Sequence, residues 1–272
     1  MVAITKRCML AVAILLAGCG GSGSDARVSQ SDRTGDSVGS TRYATSQPLV
    51  DNSGASAYKV LLMGNSHVAG LYSVLADLLA LGQPGKSIDV QLSTSAGFLD
   101  ERVNDGFSEQ LLESEPWTHV ILQGQKYSTT GTLTYPTDAA EYWIRGSKEQ
   151  GATPIMFPEH PQRGNTWEGQ TLWDLHSGIA VRENACVAPV GLVWDEVTFR
   201  APSLELHLPD GNHASGTGVL LTALVFYPII TGQPVESLPD LSAFDIDPAA
   251  ERVMKQAASA VLFNYSACNF EQ

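Results

Sequence analysis

Hydrophobic residues in this chain fall in short runs separated by longer stretches with helical spacing. Lys59–Met63, Ile88–Leu92, His119–Gln123, Pro154–Phe157 and Val187–Val193 are apolar at most positions, which predicts short buried strands. Between them, amphipathic stretches predict helices at about Val68–Leu81, Gly106–Glu113, Thr137–Gln150 and Glu168–Asn184. Two more predicted helices, Gly216–Thr231 and Pro248–Asn264, follow the last run. Strands alternating with helices predict an α/β domain, in which a parallel sheet is covered on both faces. Ligand sites in such sheets lie off the carboxyl ends of the strands. Ser66, Gly97, Gln125 and His160 each fall just after a predicted strand end, on that one edge. The chain shows no internal repeat.

The pattern changes character at the start of the chain. Lys6 and Arg7 give a basic opening, Met9 to Leu16 an apolar core, and Leu16-Ala17-Gly18-Cys19 closes it. This is the layout of a secretory signal, and its apolar part is short for a membrane span. The closing four residues resemble the lipobox of bacterial lipoproteins. That resemblance implies a signal peptide over 1–18, cleavage before Cys19 and diacylation of that cysteine. Gly20 after the cysteine implies sorting to the outer membrane, with the domain in the periplasm or at the cell surface. An ordinary signal peptide, with Cys19 incidental, is the plainer alternative. Residues 19–57 are rich in Gly, Ser, Asp, Thr and Gln and read as a flexible linker, because so few large apolar side chains cannot offset the entropy of ordering. The remaining 58–272 suits one domain with a full core.

Charge narrows the partners. The chain has 16 basic and 29 acidic residues, a net of −13, and no basic cluster in its body. That argues against nucleic acid and other polyanions. Two of the four cysteines lie in the signal region. Cys186 and Cys268 remain, either as separate thiols or, in an oxidising compartment, as a disulfide.

The candidate chemistry sits at two places. Lys59-Val60-Leu61-Leu62-Met63-Gly64-Asn65-Ser66 reads as a strand that breaks at a glycine and pushes a serine out at the sheet edge. Serine needs a base to take its proton, and the base needs a group to orient it. Asp210-Gly211-Asn212-His213, just ahead of a predicted helix, supplies a carboxylate and an imidazole three positions apart. The same four residues also suit a simple turn and helix cap.

With these blocks in view, the chain resembles the SGNH hydrolases, or GDSL-like esterases. Gly64-Asn65-Ser66 matches the nucleophile block with Asn in place of Asp, Gly97 matches the loop glycine, and Asp210-Gly211-Asn212-His213 matches the closing Asp-x-x-His. In Gln123-Gly124-Gln125 a glutamine stands where the family has asparagine. The resemblance implies a three-layer α/β/α sandwich on a mainly parallel five-stranded sheet. It also implies Ser66 as nucleophile, His213 as base and Asp210 as its orienter. The oxyanion would be bound by the Ser66 and Gly97 N–H groups and the Gln125 side chain. No metal or cofactor is implied; the expected substrate is a small-molecule or carbohydrate ester. The α/β-hydrolase fold shares the order Ser, Asp, His but requires Gly-x-Ser-x-Gly after several strands, and that pentapeptide is absent around Ser66.

Other residues read more plainly. His67 suits a surface position or a contact with substrate, and Glu159-His160 a satisfied loop pair. Lys126-Tyr127 suits a surface loop or a pocket wall, and Trp194-Asp195 suits packing. His119, His176 and His207 lack metal-ligand spacing. Asn264-Tyr265-Ser266 fits a glycosylation sequon without further support.

Overall fold

Residues 42–93 and 96–270 are described by a computed structural model. The expected signal segment 1–18, the lipidation candidate Cys19 and the linker up to residue 41 lie outside the described residues. The chain runs β1 (Ala57–Met63), α1 (Leu71–Gly82), β2 (Ser87–Leu92), α2 (Leu99–Arg102), α3 (Ser108–Ser114) and β3 (His119–Gln123). It continues through α4 (Asp138–Glu149), β4 (Thr153–Phe157), α5 (Glu168–Glu183), β5 (Cys186–Val187), α6 (Val190–Arg200), α7 (Gly216–Thr231) and α8 (Pro248–Asn264). The five strands form one parallel sheet in the order β2-β1-β3-β4-β5.

Successive residues of β1 feed opposite cores, as strand geometry requires. Val60 and Leu62 pack with α1, α6, α7 and α8, while Leu61 and Met63 pack with α2, α3, α4 and α5. The expected three-layer α/β/α sandwich is therefore present. β1 lies between β2 and β3, where the strand order reverses. A crevice forms at such a point off the carboxyl ends, and the turn after β1 opens into it.

Two boundaries differ from expectation. The apolar run Val187–Val193 is not one strand: β5 is only Cys186–Val187, and α6 starts at Val190 with Pro189 at its N-cap. Proline has no N–H for a strand ladder and a φ suited to a helix start, so it ends the strand early. The domain also begins before residue 58. Tyr43 and Leu49 are buried, and the Tyr43 hydroxyl donates to Glu113 at 2.9 Å. Asn52 Nδ2 donates to the Thr118 and Gly151 carbonyls, each at 2.9 Å, just ahead of β3 and β4. Two large apolar side chains and one amide thus hold residues that composition assigned to the linker.

Cys186 and Cys268 form a disulfide that ties β5 to the segment after α8. Val187 N–H donates to Ala267 O at 2.7 Å beside it, so the terminal segment covers the short edge strand. Among the described residues no helix is long and apolar enough to cross a membrane.

Candidate active site

β1 ends at Met63, and residues 64–68 turn sharply into a 3₁₀ segment, Ser66–Val68. The turn is built from its own polar groups: Asn65 Oδ1 accepts from His67 N–H at 3.1 Å. Gly64 is required by close approach, since a Cβ there would lie 2.4 Å from Gln123 Oε1. Ser66 thus stands at the head of the 3₁₀ segment on the carboxyl edge of the sheet. Among the described residues, its N–H meets no acceptor.

The second half of the site is a tight hairpin. His207 and Ala214 form an antiparallel bridge, and Leu208 N–H donates to His213 O at 2.7 Å. Gly211 takes φ +73° at the tip, a conformation that favours glycine. The loop after β4 clamps this hairpin. Arg163 N–H donates to Gly211 O at 2.8 Å, and Arg163 Nη2 donates to the His207 and Leu208 carbonyls at 3.1 and 3.0 Å. His160 Nε2 reaches Asn212 O at 2.9 Å, and the His160 ring stacks on Trp194 with centroids 3.9 Å apart. The Glu159-His160 pair is satisfied, as expected, and Trp194 is a packing residue that donates to Thr222.

The two halves meet at hydrogen-bond distance. His213 Nε2 lies 2.8 Å from Ser66 Oγ, and His213 Nδ1 lies 2.7 Å from Asp210 Oδ2. An ionised carboxylate only accepts, so Nδ1 carries the proton and the Nε2 lone pair faces the serine hydroxyl. Asp210 Oδ1 also accepts the backbone N–H groups of Asn212 and His213, at 2.9 and 3.0 Å. The His213 ring hydrogen bond first, and then those N–H bonds, hold the Asp210 carboxyl well below the usual carboxylate range. The arrangement can deprotonate Ser66 toward an incoming electrophile and keep the resulting imidazolium oriented.

The expected oxyanion donors fare differently. Both N–H bonds of the Gln125 amide go to other acceptors, Lys126 O at 2.9 Å and Pro136 O at 3.0 Å. Gly97 N–H donates to Gly64 O at 3.2 Å. The three-donor oxyanion site expected from Ser66, Gly97 and Gln125 is thus corrected. Of the three, only Ser66 N–H is uncommitted: Gln125 is held by carbonyls of its own loop, and Gly97 by the Gly64 carbonyl of the turn after β1.

Behind the serine lies a set of ionisable groups that no pattern in the sequence brings together. His67 is not a surface residue. Its ring stacks on His213 with centroids 5.4 Å apart, and its Nε2 lies 4.0 Å from Glu159 Oε1. Burial, then the neighbouring His213, pushes His67 down to about 4, so it is neutral at pH 7. Burial raises Glu159 to about 7, against the lowering effect of the hydrogen bond from Gln123. The Tyr127 hydroxyl donates to the buried Glu168 at 2.6 Å, so Tyr127 belongs to this interior set rather than to a surface loop. The signal in the sequence was a glutamine, Gln123, closing an otherwise apolar strand run. Among the described residues no cluster of three or more His, Cys, Asp or Glu side chains is arranged to hold a metal.

The sequence matches no protein-family model and no curated protein. Solved structures do match. A DUF4886 family protein from Bacteroides uniformis superposes with a TM-score of 0.64 at 14% identity, over 79% of this chain and 98% of its own. A proposed SGNH hydrolase from Slackia heliotrinireducens gives 0.50 at 24% identity, over 63% of this chain and 97% of its own. The parallel five-stranded sheet between two helical layers is the fold of the SGNH hydrolases.

Proposed function

We propose that the protein is a serine esterase that cleaves carboxylic esters through an acyl-enzyme on Ser66. The observation that carries this is the Ser66–His213–Asp210 chain of contacts at 2.8 and 2.7 Å on the carboxyl edge of the sheet. In this reading His213 takes the Ser66 proton as Oγ attacks the ester carbon. It returns that proton to the leaving alcohol, then activates water to release the acid. The Ser66 N–H serves as an oxyanion donor.

O-acetyl groups on extracellular carbohydrate are the proposed substrate. The support is the export signal read in the sequence and an acidic chain suited to neutral rather than polyanionic ligands. We also propose that Cys19 carries a lipid anchor that holds the domain in the bacterial cell envelope, at the outer membrane. The Cys186–Cys268 disulfide accords with an oxidising compartment. A second reading, a catalytically silent glycan-binding domain, draws on the commitment of the Gly97 and Gln125 N–H groups to other acceptors. An acyltransferase must keep water from the acyl-enzyme, and the 37% exposure of the His213 side chain disfavours it.

The test compares the purified protein with its Ser66→Ala variant on aryl acetate and on longer-chain aryl esters. The wild type is expected to turn over ester at least ~10³-fold faster than the variant, and a fluorophosphonate is expected to label Ser66. Equal rates for the two proteins would leave the silent binding domain as the better reading.

A further inference from the structure

We propose that Gln123 is a positioning residue for the serine turn, and that Glu159 sets which way its amide faces. This rests on the reading of Ser66 as the nucleophile. Gln123 is the last residue of β3 and has no exposed surface. β3 pairs with β1 in register Met63 to Leu122, which brings the Gln123 side chain beside Gly64, the first residue past β1. Its Oε1 accepts the Asn65 N–H at 2.8 Å, and its Nε2 donates to Glu159 Oε2 at 2.6 Å.

The Asn65 N–H and the Gly64 C=O belong to one peptide unit, and that unit is held at both ends. Gly64 O accepts from Arg102 Nη2 at 2.5 Å and from Gly97 N–H at 3.2 Å. Arg102 is itself buried and also donates to Ser93 Oγ. A rotation of this peptide plane would break the bonds on both sides and leave buried donors and acceptors unmet. The next peptide in the chain carries the Ser66 N–H. Fixing the first plane therefore restricts the direction of the oxyanion donor and the placement of Oγ against His213. With Gln125 and Gly97 committed elsewhere, that one donor matters more than it would in a three-donor site.

Glu159 gives the clamp its polarity. A glutamine amide can face either way, but an ionised Glu159 only accepts, so above about pH 7 it selects the Nε2 end. The Oε1 end is then left facing Asn65. The opposite orientation would set an N–H against the Asn65 N–H and an oxygen against the carboxylate. The function-based reading did not require Gln123 or Glu159, and the reactions of Ser66 and His213 do not touch them.

The experiment uses the full protein, its Ser66→Ala control, Gln123→Met and Glu159→Gln. Readouts are kcat and KM on an aryl acetate, melting temperature, and deuterium uptake of the peptide spanning residues 64–68. Gln123→Met keeps side-chain length and removes both hydrogen bonds. We expect kcat to fall roughly 10- to 100-fold, as for a small misplacement of reacting groups, with KM within about twofold and faster uptake at 64–68. Glu159→Gln keeps the volume and leaves the amide orientation unenforced; a smaller fall in kcat is expected. A role in packing alone would lower melting temperature while kcat per folded molecule stayed at the wild-type value, and that result overturns the proposal. If Gln123→Met does not fold, Glu159→Gln decides: unchanged kcat with unchanged uptake overturns it. A wild type no faster than Ser66→Ala would remove the esterase reading and this inference with it, whereas an active wild type with an equally active Gln123→Met removes only the inference.

Discussion

Asp210 holds His213 by two routes, through the ring at Nδ1 and through the backbone N–H. Replacing the carboxylate by an amide tests the first route without emptying the site. In Asp210→Asn the amide nitrogen can face Nδ1, which moves the imidazole proton to Nε2 and leaves no base toward Ser66. Turnover is expected to fall on the order of 10⁴-fold with little change in KM; steady-state kinetics on an aryl ester checks this, and an active Asp210→Asn would mean that Asp210 does not set the tautomer. The placement of Ser66, Asp210 and His213 was legible in the sequence because it depends on local patterns, a strand broken by glycine and a carboxylate three residues before an imidazole. Gln125 was misread for the opposite reason. Where a long side chain sends its amide is decided by tertiary neighbours, here the carbonyl of Pro136, eleven positions away. Gln123 was placed correctly at the end of its strand, but the partners of its amide, Asn65 and Glu159, lie 58 and 36 positions away and leave no local pattern.

At the scale of elements, the strands and most helices were legible from apolar runs and spacing, while the run at Val187–Val193 was not. A short apolar run suits a strand and a buried helix equally, and Pro189 decided between them. α7 shows how an element positions the site without touching it. It is apolar and buried almost all round, as a core helix should be, and Ser215 caps its first turn by accepting from Gly218 N–H at 3.1 Å. Gly218 lets α7 lie against the base of the hairpin that carries His213. A Cβ at that position would meet Leu206 O at 2.2 Å and the Trp194 ring at 2.5 Å. The backbone carbonyl cannot swing aside, so Gly218→Ala should separate α7 from the hairpin. Overpacking of this kind costs about 1–3 kcal/mol. The expected outcome is a lower denaturation midpoint together with reduced esterase turnover; an unchanged midpoint would show that the hairpin adjusts freely.

Across the whole molecule, buried ionisable groups set the response to pH. Burial lowers His67 and His176 to about 4, and His119 and His160 to about 3, from an ordinary 6.5. The unfolded chain then binds more protons than the folded one as pH falls below about 6.5, so these four histidines make the fold less stable on acidification. Glu159, raised to about 7, and Asp195, raised to about 6, act in the opposite sense and lose stability as pH rises. Four histidines outweigh two carboxyls between about pH 4 and 6.5. Melting temperature is therefore expected to peak near pH 6.5–7 and to fall steadily toward pH 4; a flat profile over that range would contradict the burial of these rings. The sequence showed the histidines but not their burial, which depends on helices packing from both sides of the sheet. Ser66 and His213 are 147 positions apart, and the β2, β3, β4 and β5 strands lie between them in the chain. A ribosome must complete every strand, and the hairpin must dock, before the hydroxyl meets its base. Until that moment the growing chain carries an ordinary serine, so the first appearance of activity marks the time at which the sheet is complete and the hairpin has docked on it.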